Sequence, residues 1–176
     1  MKLCLATPCY GSVVYTDYMR SLLRTMHAVP EIEDVLFLSE DPLVSRARNS
    51  LASQFLERGC DKLLFIDADI LFEPEHVKRI ASHELDLVGG LYPLKKAGDP
   101  VFCFNGIPGR KLEVLPNGLM EVSCAGTGFL CMTRSVLERM MERWPEDAIR
   151  EAAPGTSASR FDWFKVGVSH GRYLSE

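Results

Sequence analysis

Apolar runs and segments of helical periodicity alternate along the first half of the chain. Runs in which every residue is apolar predict buried strands at residues 3–6, 35–38 and 63–66. Apolar residues spaced three or four apart predict helices around residues 19–26, 44–55 and 74–83. Strands that alternate with helices are typical of a parallel sheet covered by helices on both faces.

Single residues predict the faces and ends of these helices. The first helix is predicted to bury a stripe made of Met19, Leu22, Leu23 and Met26. Asp41, followed by a proline, is predicted to cap the second helix, and Gly59 to end it.

The second half of the chain has shorter apolar runs separated by turn residues. Short strands are predicted at residues 85–88, 101–104, 112–115, 119–122, 129–132 and 166–168. Thr133 is predicted to cap a further helix, and residues 146–160 are predicted to form a mobile loop. The predicted fold class is α/β: a Rossmann-like, mostly parallel central sheet with helices on both faces and a smaller mixed β part.

Composition and charge narrow the class of protein. The chain has 176 residues and a net charge of −4, which favours one folded domain and argues against a nucleic-acid partner. The apolar runs fall far short of the ~20 residues that cross a bilayer, so no transmembrane segment is expected. The six cysteines form no CxxC pair and are interpreted as reduced core thiols, which indicates a cytoplasmic protein.

The candidate chemistry begins with Asp67 and Asp69, which directly follow the strand predicted at residues 63–66. Ligands of open α/β sheets bind just beyond the carboxyl ends of the strands. Two neighbouring carboxylates are costly to bury unless a cation joins them, and their oxygens suit Mg²⁺ or Mn²⁺. We therefore predict a site for a metal ion and a diphosphate; the alternative is that these residues only cap the next helix.

Arg46 and Arg48 lie on the preceding helix and point about 200° apart around its axis. Arg48 is beside the apolar stripe and near the sheet edge, where its guanidinium is predicted to pair with a phosphate or with Asp67. The alternative is a solvated helix face whose arginine stems cover apolar surface.

Thr7, Pro8 and Tyr10 follow the first strand to the same edge of the sheet. A hydroxyl, backbone groups and an aromatic ring suit a nucleobase and a ribose; the alternative is a plain loop with Tyr10 packed on the core. Two further segments contain glycines that let the backbone approach a ligand closely, residues 89–90 and 126–128, and the first of them leads to Lys95 and Lys96.

Taken in order, these motifs resemble those of the GT-A glycosyltransferases, and most of all the family 2-like members and related viral and bacterial enzymes with a DxD motif. The resemblance covers roughly residues 1–135. It rests on the early Thr-Pro loop, Ala47-Arg48-Asn49, the strand that runs into Asp67-Ala68-Asp69, and the glycine-rich entry to the strand at Phe129.

The resemblance implies a single GT-A-like domain over residues 1–176, with a nucleotide-binding half at 1–95 and an acceptor-side half at 96–176. Its activity would be transfer of a sugar from a nucleoside-diphosphate donor, expected to be a UDP-sugar, to a glycan, protein or lipid-linked acceptor, with Mn²⁺ or Mg²⁺ as cofactor. The resemblance implies a role for each candidate residue. Thr7, Pro8 and Tyr10 border the nucleoside, and Arg48 faces the nucleotide. Asp67 meets the ribose or metal, Asp69 binds the metal, and Lys95 or Lys96 offsets charge on the leaving group.

The ending and two alternatives complete the prediction. Residues 173–176 resemble the start of an acidic element of this family, so Glu176 is predicted to activate the acceptor, and the natural chain to continue into a helix with further acidic and His residues. A nucleotidyltransferase would carry a basic glycine-rich loop after the first strand, whereas residues 7–12 hold no Lys or Arg. A non-catalytic module that binds sugar nucleotides is the other alternative.

Overall fold

The computed structural model describes residues 1–95, 98–102, 104–149, 160–169 and 171–174. The strands are β1 Leu3–Cys9, β2 Ile32–Ser39, β3 Lys62–Ile66, β4 Leu87–Gly89, β5 Phe104–Gly106, β6 Val122–Ala125, β7 Phe129–Thr133, β8 Gly167–Ser169 and β9 Arg172–Leu174. The α-helices are α1 Thr16–Ala28, α2 Val44–Leu56, α3 Pro74–Ser82 and α4 Arg134–Arg143, and short 3-10 turns span Tyr10–Ser12 and Pro145–Asp147.

Five strands form the central sheet in the order β2-β1-β3-β7-β4. The first three run parallel to one another, whereas β7 is antiparallel to both of its neighbours, β3 and β4. Antiparallel pairs β5–β6 and β8–β9 lie outside this sheet. The predicted α/β class is therefore confirmed, with a mixed central sheet whose core strands are parallel.

The two faces of the sheet are covered by separate apolar clusters. Alternate residues of β1 and β3 point to opposite faces, as the two-residue period of a strand requires. Leu5 and Ile66 pack on one face with residues of α1 and α3, and Ala6 and Phe65 pack on the other with residues of α2 and α4. Helices therefore cover both faces of the sheet, as predicted.

The buried stripe predicted for α1 is wrong by one residue. Tyr18, Ser21, Leu22 and Thr25 are buried, whereas Met19, Leu23 and Met26 are exposed. The Tyr18 ring packs edge-on against Phe72, with ring centroids 5.7 Å apart, and the Ser21 hydroxyl accepts the Phe72 backbone N–H at 3.1 Å. Hydrogen bonds of polar side chains thus set the rotation of this helix, and apolar spacing does not record them.

The cap predicted for α2 is also wrong. The helix begins at Val44 without a side-chain cap. It ends at Leu56 with Glu57 as its C-cap, before the predicted stop at Gly59. Asp41 instead accepts the Leu43 backbone N–H at 3.0 Å and pairs with Arg46 at 2.8 Å. The carboxylate therefore holds the turn that precedes the helix rather than the helix itself.

The second half of the chain matches its predictions in part. The strand β7 is present, and Thr133 caps α4 by accepting the Val136 N–H at 3.3 Å, as predicted. Within the part of the chain that the structure describes, residues 112–115 form no strand, and β6 begins three residues later than predicted. Most of the loop predicted as mobile, residues 150–159, lies outside the described residues.

The described cysteines are all free thiols, in agreement with the prediction of reduced cysteines. Cys4, Cys9, Cys60 and Cys131 are buried, whereas Cys124 is exposed and so departs from the predicted core position. Among the described residues, no helix is long and apolar enough to cross a membrane.

Candidate functional site

The candidate site lies at the end of the sheet where β1 and β3 terminate. Both strands run in the same direction, so the loop after β1 and the loop after β3 leave the sheet side by side. A backbone hydrogen bond of 2.9 Å from Tyr15 N–H to Ala68 C=O ties the two loops together. The residue that accepts this bond separates Asp67 from Asp69, so both carboxylates are carried by a fixed backbone.

Asp67 is paired with the buried guanidinium of Arg48. Arg48 Nη2 donates to Asp67 Oδ1 at 2.8 Å, and the Arg48 side chain is only 2% exposed while that of Asp67 is 32% exposed. The guanidinium carbon also lies 5.4 Å from the centroid of the Phe65 ring. The predicted Arg48–Asp67 pair is therefore present, and the predicted alternative of a solvated arginine is wrong.

Asp69 is paired with Lys95 at the surface. Lys95 Nζ donates to Asp69 Oδ2 at 2.5 Å and lies 4.9 Å from the centroid of the Tyr15 ring. The hydrogen bond to the Asp69 carboxylate raises the pKa of Lys95, so the ammonium stays charged at neutral pH. Because the Lys95 side chain is 66% exposed, a ligand or an ion can displace it at little cost.

Gly128 supports the Asp67 loop from the side of β7. Its carbonyl accepts the Asp67 backbone N–H at 2.8 Å, and its own N–H donates to the Tyr92 hydroxyl at 2.9 Å. A Cβ atom at this position would stand 2.5 Å from Asp67 Oδ2 and 2.6 Å from Tyr92 Oη. The close approach at Gly128 is thus made to the Asp67 carboxylate and the Tyr92 hydroxyl, whereas the approach predicted was to a ligand, and a side chain at this position would force those two groups to move.

Thr7 and Tyr10 have opposite environments. Thr7 is fully buried, and its Oγ1 lies 2.5 Å from the hydroxyl of Tyr18. Burial raises the pKa of Tyr18 to about 12, so this pair stays neutral. Thr7 therefore presents no surface to a ligand, and of the three residues predicted to border the nucleoside only the half-buried Pro8 and the exposed Tyr10 can meet one. Tyr10 is 71% exposed, so the alternative that it packs on the core is wrong.

The capping alternative for the two carboxylates is also wrong. Helix α3 begins at Pro74, and its cap is Glu73, whose side chain accepts a backbone N–H of the first turn. Asp67 and Asp69 therefore have no helix to cap. Both carboxylates are instead about one-third exposed, Asp67 paired with a guanidinium and Asp69 with an ammonium.

The residues present fit a divalent cation that brings most of its own ligands. Among the described residues, no group of three or more His, Cys, Asp or Glu side chains could hold a metal ion. Mg²⁺ and Mn²⁺ characteristically accept one or two carboxylates and complete their shell with waters and phosphate oxygens. Asp67 and Asp69 would supply two of the ligands of such an ion, and a diphosphate and water the others. This donor set suits an ion that binds together with a diphosphate better than a permanently bound metal.

Sequence reasoning missed one residue of this site and named others that the structure does not describe. Tyr92 was not singled out, although the glycines before it and the glycine at position 128 both indicate a close approach of two strands. Glu176, the predicted base, lies outside the described residues, as does Lys96. The role predicted for Glu176 stays a prediction.

Comparisons with known proteins bear on the fold. No family model and no curated protein matches the chain. The crystal structure of A197 from STIV is similar, with a TM-score of 0.55 and 23% sequence identity over 79% of this chain and 68% of that chain. At this identity the likeness shows a common fold and nothing finer.

Proposed function

We propose that this protein is a glycosyltransferase of the GT-A type that transfers a sugar from a nucleoside-diphosphate donor, in particular a UDP-sugar. The observation that carries the proposal is the pairing of Asp67 and Asp69 with Arg48 and Lys95 at the carboxyl edge of β1 and β3. The acceptor would be a glycan, a protein or a lipid-linked molecule. The likeness of folds and the order of the motifs are consistent with the proposal.

The charges at this edge favour a diphosphate with a divalent cation. Two carboxylates alone would repel a phosphate, whereas a bound Mn²⁺ or Mg²⁺ would be attracted to them and to the phosphate oxygens together. The cation would supply Lewis acidity that offsets the negative charge on the departing nucleoside diphosphate. Asp69 is the more accessible ligand, because Asp67 is held on one oxygen by a buried arginine.

The side chains of the site have distinct tasks in this proposal. Arg48 fixes the orientation of Asp67, which would meet the ribose or the metal ion. Lys95, when the ion takes its place at Asp69, would carry its positive charge to the diphosphate and stabilise the leaving group. The exposed ring of Tyr10 offers a flat apolar surface of the kind on which a nucleobase stacks.

A thermal-shift panel tests the donor. UDP, GDP, ADP and CDP are each added with and without Mn²⁺, and stabilisation is read as the rise in Tm. We expect UDP with Mn²⁺ to give the largest shift, exceeding the sum of the shifts that UDP and Mn²⁺ give separately. A larger shift with GDP at equal concentration contradicts the choice of base, and no shift with any nucleotide contradicts the donor site.

A product assay tests the reaction. Incubation with UDP-sugars and Mn²⁺ should release UDP, by transfer or by slow hydrolysis, and Asp69→Asn should abolish the release. Pyrophosphate formed from a nucleoside triphosphate and a sugar phosphate would instead identify a nucleotidyltransferase. Nucleotide binding without UDP release would identify a non-catalytic module.

A further inference from the structure

We propose that Tyr92 is a positioning residue of the donor site, acting through Asp67 and Gly128; this inference rests on the proposed function. Tyr92 belongs to the segment after β4, on the far side of β7 from Asp67. Its hydroxyl nevertheless reaches Gly128, whose carbonyl accepts the backbone N–H of Asp67. The tyrosine would set which way that carboxylate faces when the donor is bound.

The geometry brings Tyr92 Oη close to the second oxygen of Asp67. Both Asp67 Oδ2 and Tyr92 Oη lie within 2.6 Å of one point, the place where a Cβ of Gly128 would stand. The two oxygens are therefore no more than about 5 Å apart, a span that one water molecule or one ligand hydroxyl can bridge. Oδ1, the other oxygen of Asp67, is the one that Arg48 holds.

The hydrogen-bonding capacity of Tyr92 suits this task. Its hydroxyl accepts the Gly128 N–H at 2.9 Å, and a phenol has one hydrogen of its own to donate. A carboxylate oxygen accepts only. The Tyr92 hydroxyl thus holds the backbone of Gly128, whose carbonyl in turn accepts the Asp67 N–H at 2.8 Å, and it limits where Asp67 Oδ2 can turn.

Tyr92 is held on both sides and so can position another group. Its partly buried ring packs against the cluster formed by β1, β3, α1 and α3. Upstream, Gly90 N–H donates to Phe129 C=O at 2.7 Å; downstream, Leu94 N–H donates to Val101 C=O at 2.7 Å. A tyrosine whose ring and flanking backbone are both fixed leaves little freedom to its hydroxyl.

The first test compares UDP affinity in Tyr92→Phe and in a control, by calorimetric titration with Mn²⁺ well below the Tm. Ser53→Ala is the matched control, because the Ser53 hydroxyl also accepts a backbone N–H, that of Arg160 at 2.9 Å, but lies outside the site. We expect both variants to have a lower Tm. Tyr92→Phe should weaken UDP about tenfold, and Ser53→Ala should leave the affinity within about twofold.

The second test asks whether Tyr92 acts through Asp67. In an Asp67→Asn background, Tyr92→Phe should weaken UDP binding by less than about a further twofold, because the carboxylate that Tyr92 positions is gone. Should Asp67→Asn fail to fold, Gly128→Ala takes its place, since its methyl group would occupy the space between the two oxygens. A full tenfold effect in either background overturns the inference.

The outcomes also separate this inference from the proposed function. Wild-type protein that binds UDP, together with Tyr92→Phe that binds it equally well, overturns only the role of Tyr92. Wild-type protein that binds no nucleotide overturns the donor site, and the role of Tyr92 with it.

Discussion

Two arginines, Arg48 within helix α2 and Arg134 at its carboxyl end, lie at opposite ends of the central sheet. Their hydrogen-bond acceptors differ. Arg134 reaches the carboxyl end of α2, where its guanidinium donates to the carbonyls of Phe55, Leu56, Arg58 and Cys60 and lies 4.9 Å from the centroid of the Phe55 ring. Arg48 lies within the helix, over the ring of Phe65, and donates to the carboxylate of Asp67.

The acceptors of the two arginines differ in whether they remain accessible to a ligand. The carbonyls around Arg134 belong to backbone at the end of a packed helix, so this arrangement is closed and serves only to end the helix and join it to α4. Asp67 is one-third exposed and is held by Arg48 on one oxygen, so its other oxygen remains directed at the site. A similar ring–guanidinium pair thus joins a helix end to α4 at one end of the sheet and holds a partly exposed carboxylate, the proposed ligand-binding group, at the other.

The largest effect expected from this comparison is on stability. Arg134→Met removes charge-assisted hydrogen bonds to four carbonyls and should lower the free energy of unfolding by about 3 kcal/mol. For a domain of this size that is a fall in Tm of roughly 6–12 °C. Denaturant unfolding measures the loss, and UDP titration at 15 °C should give an unchanged Kd. A parallel loss of UDP affinity would mean that the two ends of the sheet are coupled.

The next effect is on binding. Arg48→Lys keeps a positive charge but loses the planar guanidinium that meets Asp67 and lies over Phe65, so UDP affinity should fall about tenfold or more. The cost in unfolding free energy should be about 1–2 kcal/mol, less than that of Arg134→Met. Arg46→Lys, two residues earlier and paired with Asp41 near the surface, is the control and should change UDP affinity little. Equal losses of UDP affinity in Arg48→Lys and Arg46→Lys would contradict a role of Arg48 in the donor site.

A smaller and more selective effect is expected from Asp69→Asn. The substitution removes a charged ligand while nearly preserving size, so the Mn²⁺-dependent part of the UDP thermal shift should vanish. The metal-free Tm should stay close to that of the wild type, because the pair with Lys95 is exposed and Asp69 caps no helix. An unchanged Mn²⁺-dependent shift would show that the metal ion binds elsewhere.

The smallest effect is expected from Lys95→Gln, which removes the cation that now rests on Asp69. Mn²⁺ added without nucleotide should then stabilise the protein more than it stabilises the wild type, because no ammonium competes for the carboxylate. Lys2→Gln, which breaks the exposed Lys2–Glu33 pair at the opposite end of the sheet, is the control. A response to Mn²⁺ that is the same in both variants would contradict competition at Asp69.

Local pattern predicted much of the sheet and of the polar residues at its edge. The strand that precedes Asp67 is apolar from Leu63 to Ile66 and pairs with a strand on each side. Helix α3 has an apolar face and a proline at its start, so both elements were predicted nearly to the residue. Since parallel strands end at one edge, the sequence also indicated the pairing of Arg48 with Asp67.

Features that depend on distant pairing were not predictable in this way. An apolar strand such as β7 carries no mark of its direction or of its neighbours, so the glycines at 89–90 and 128 indicate a close approach without showing that Tyr92 meets Gly128 there. The buried face of α1 depends on the hydroxyl groups of Tyr18 and Ser21, which an apolar count treats as surface residues.

The position of β7 in the sheet also has a consequence for the order of assembly. Strand β4 pairs with β7, which is made much later in synthesis, and it has no other partner in the central sheet. During synthesis, β1, β2 and β3 can therefore pair with one another while β4 is still an unpaired strand of the nascent chain. Tyr92 can contact Gly128 only after β7 has paired with both β3 and β4. The candidate site would therefore be among the last parts of the molecule to form.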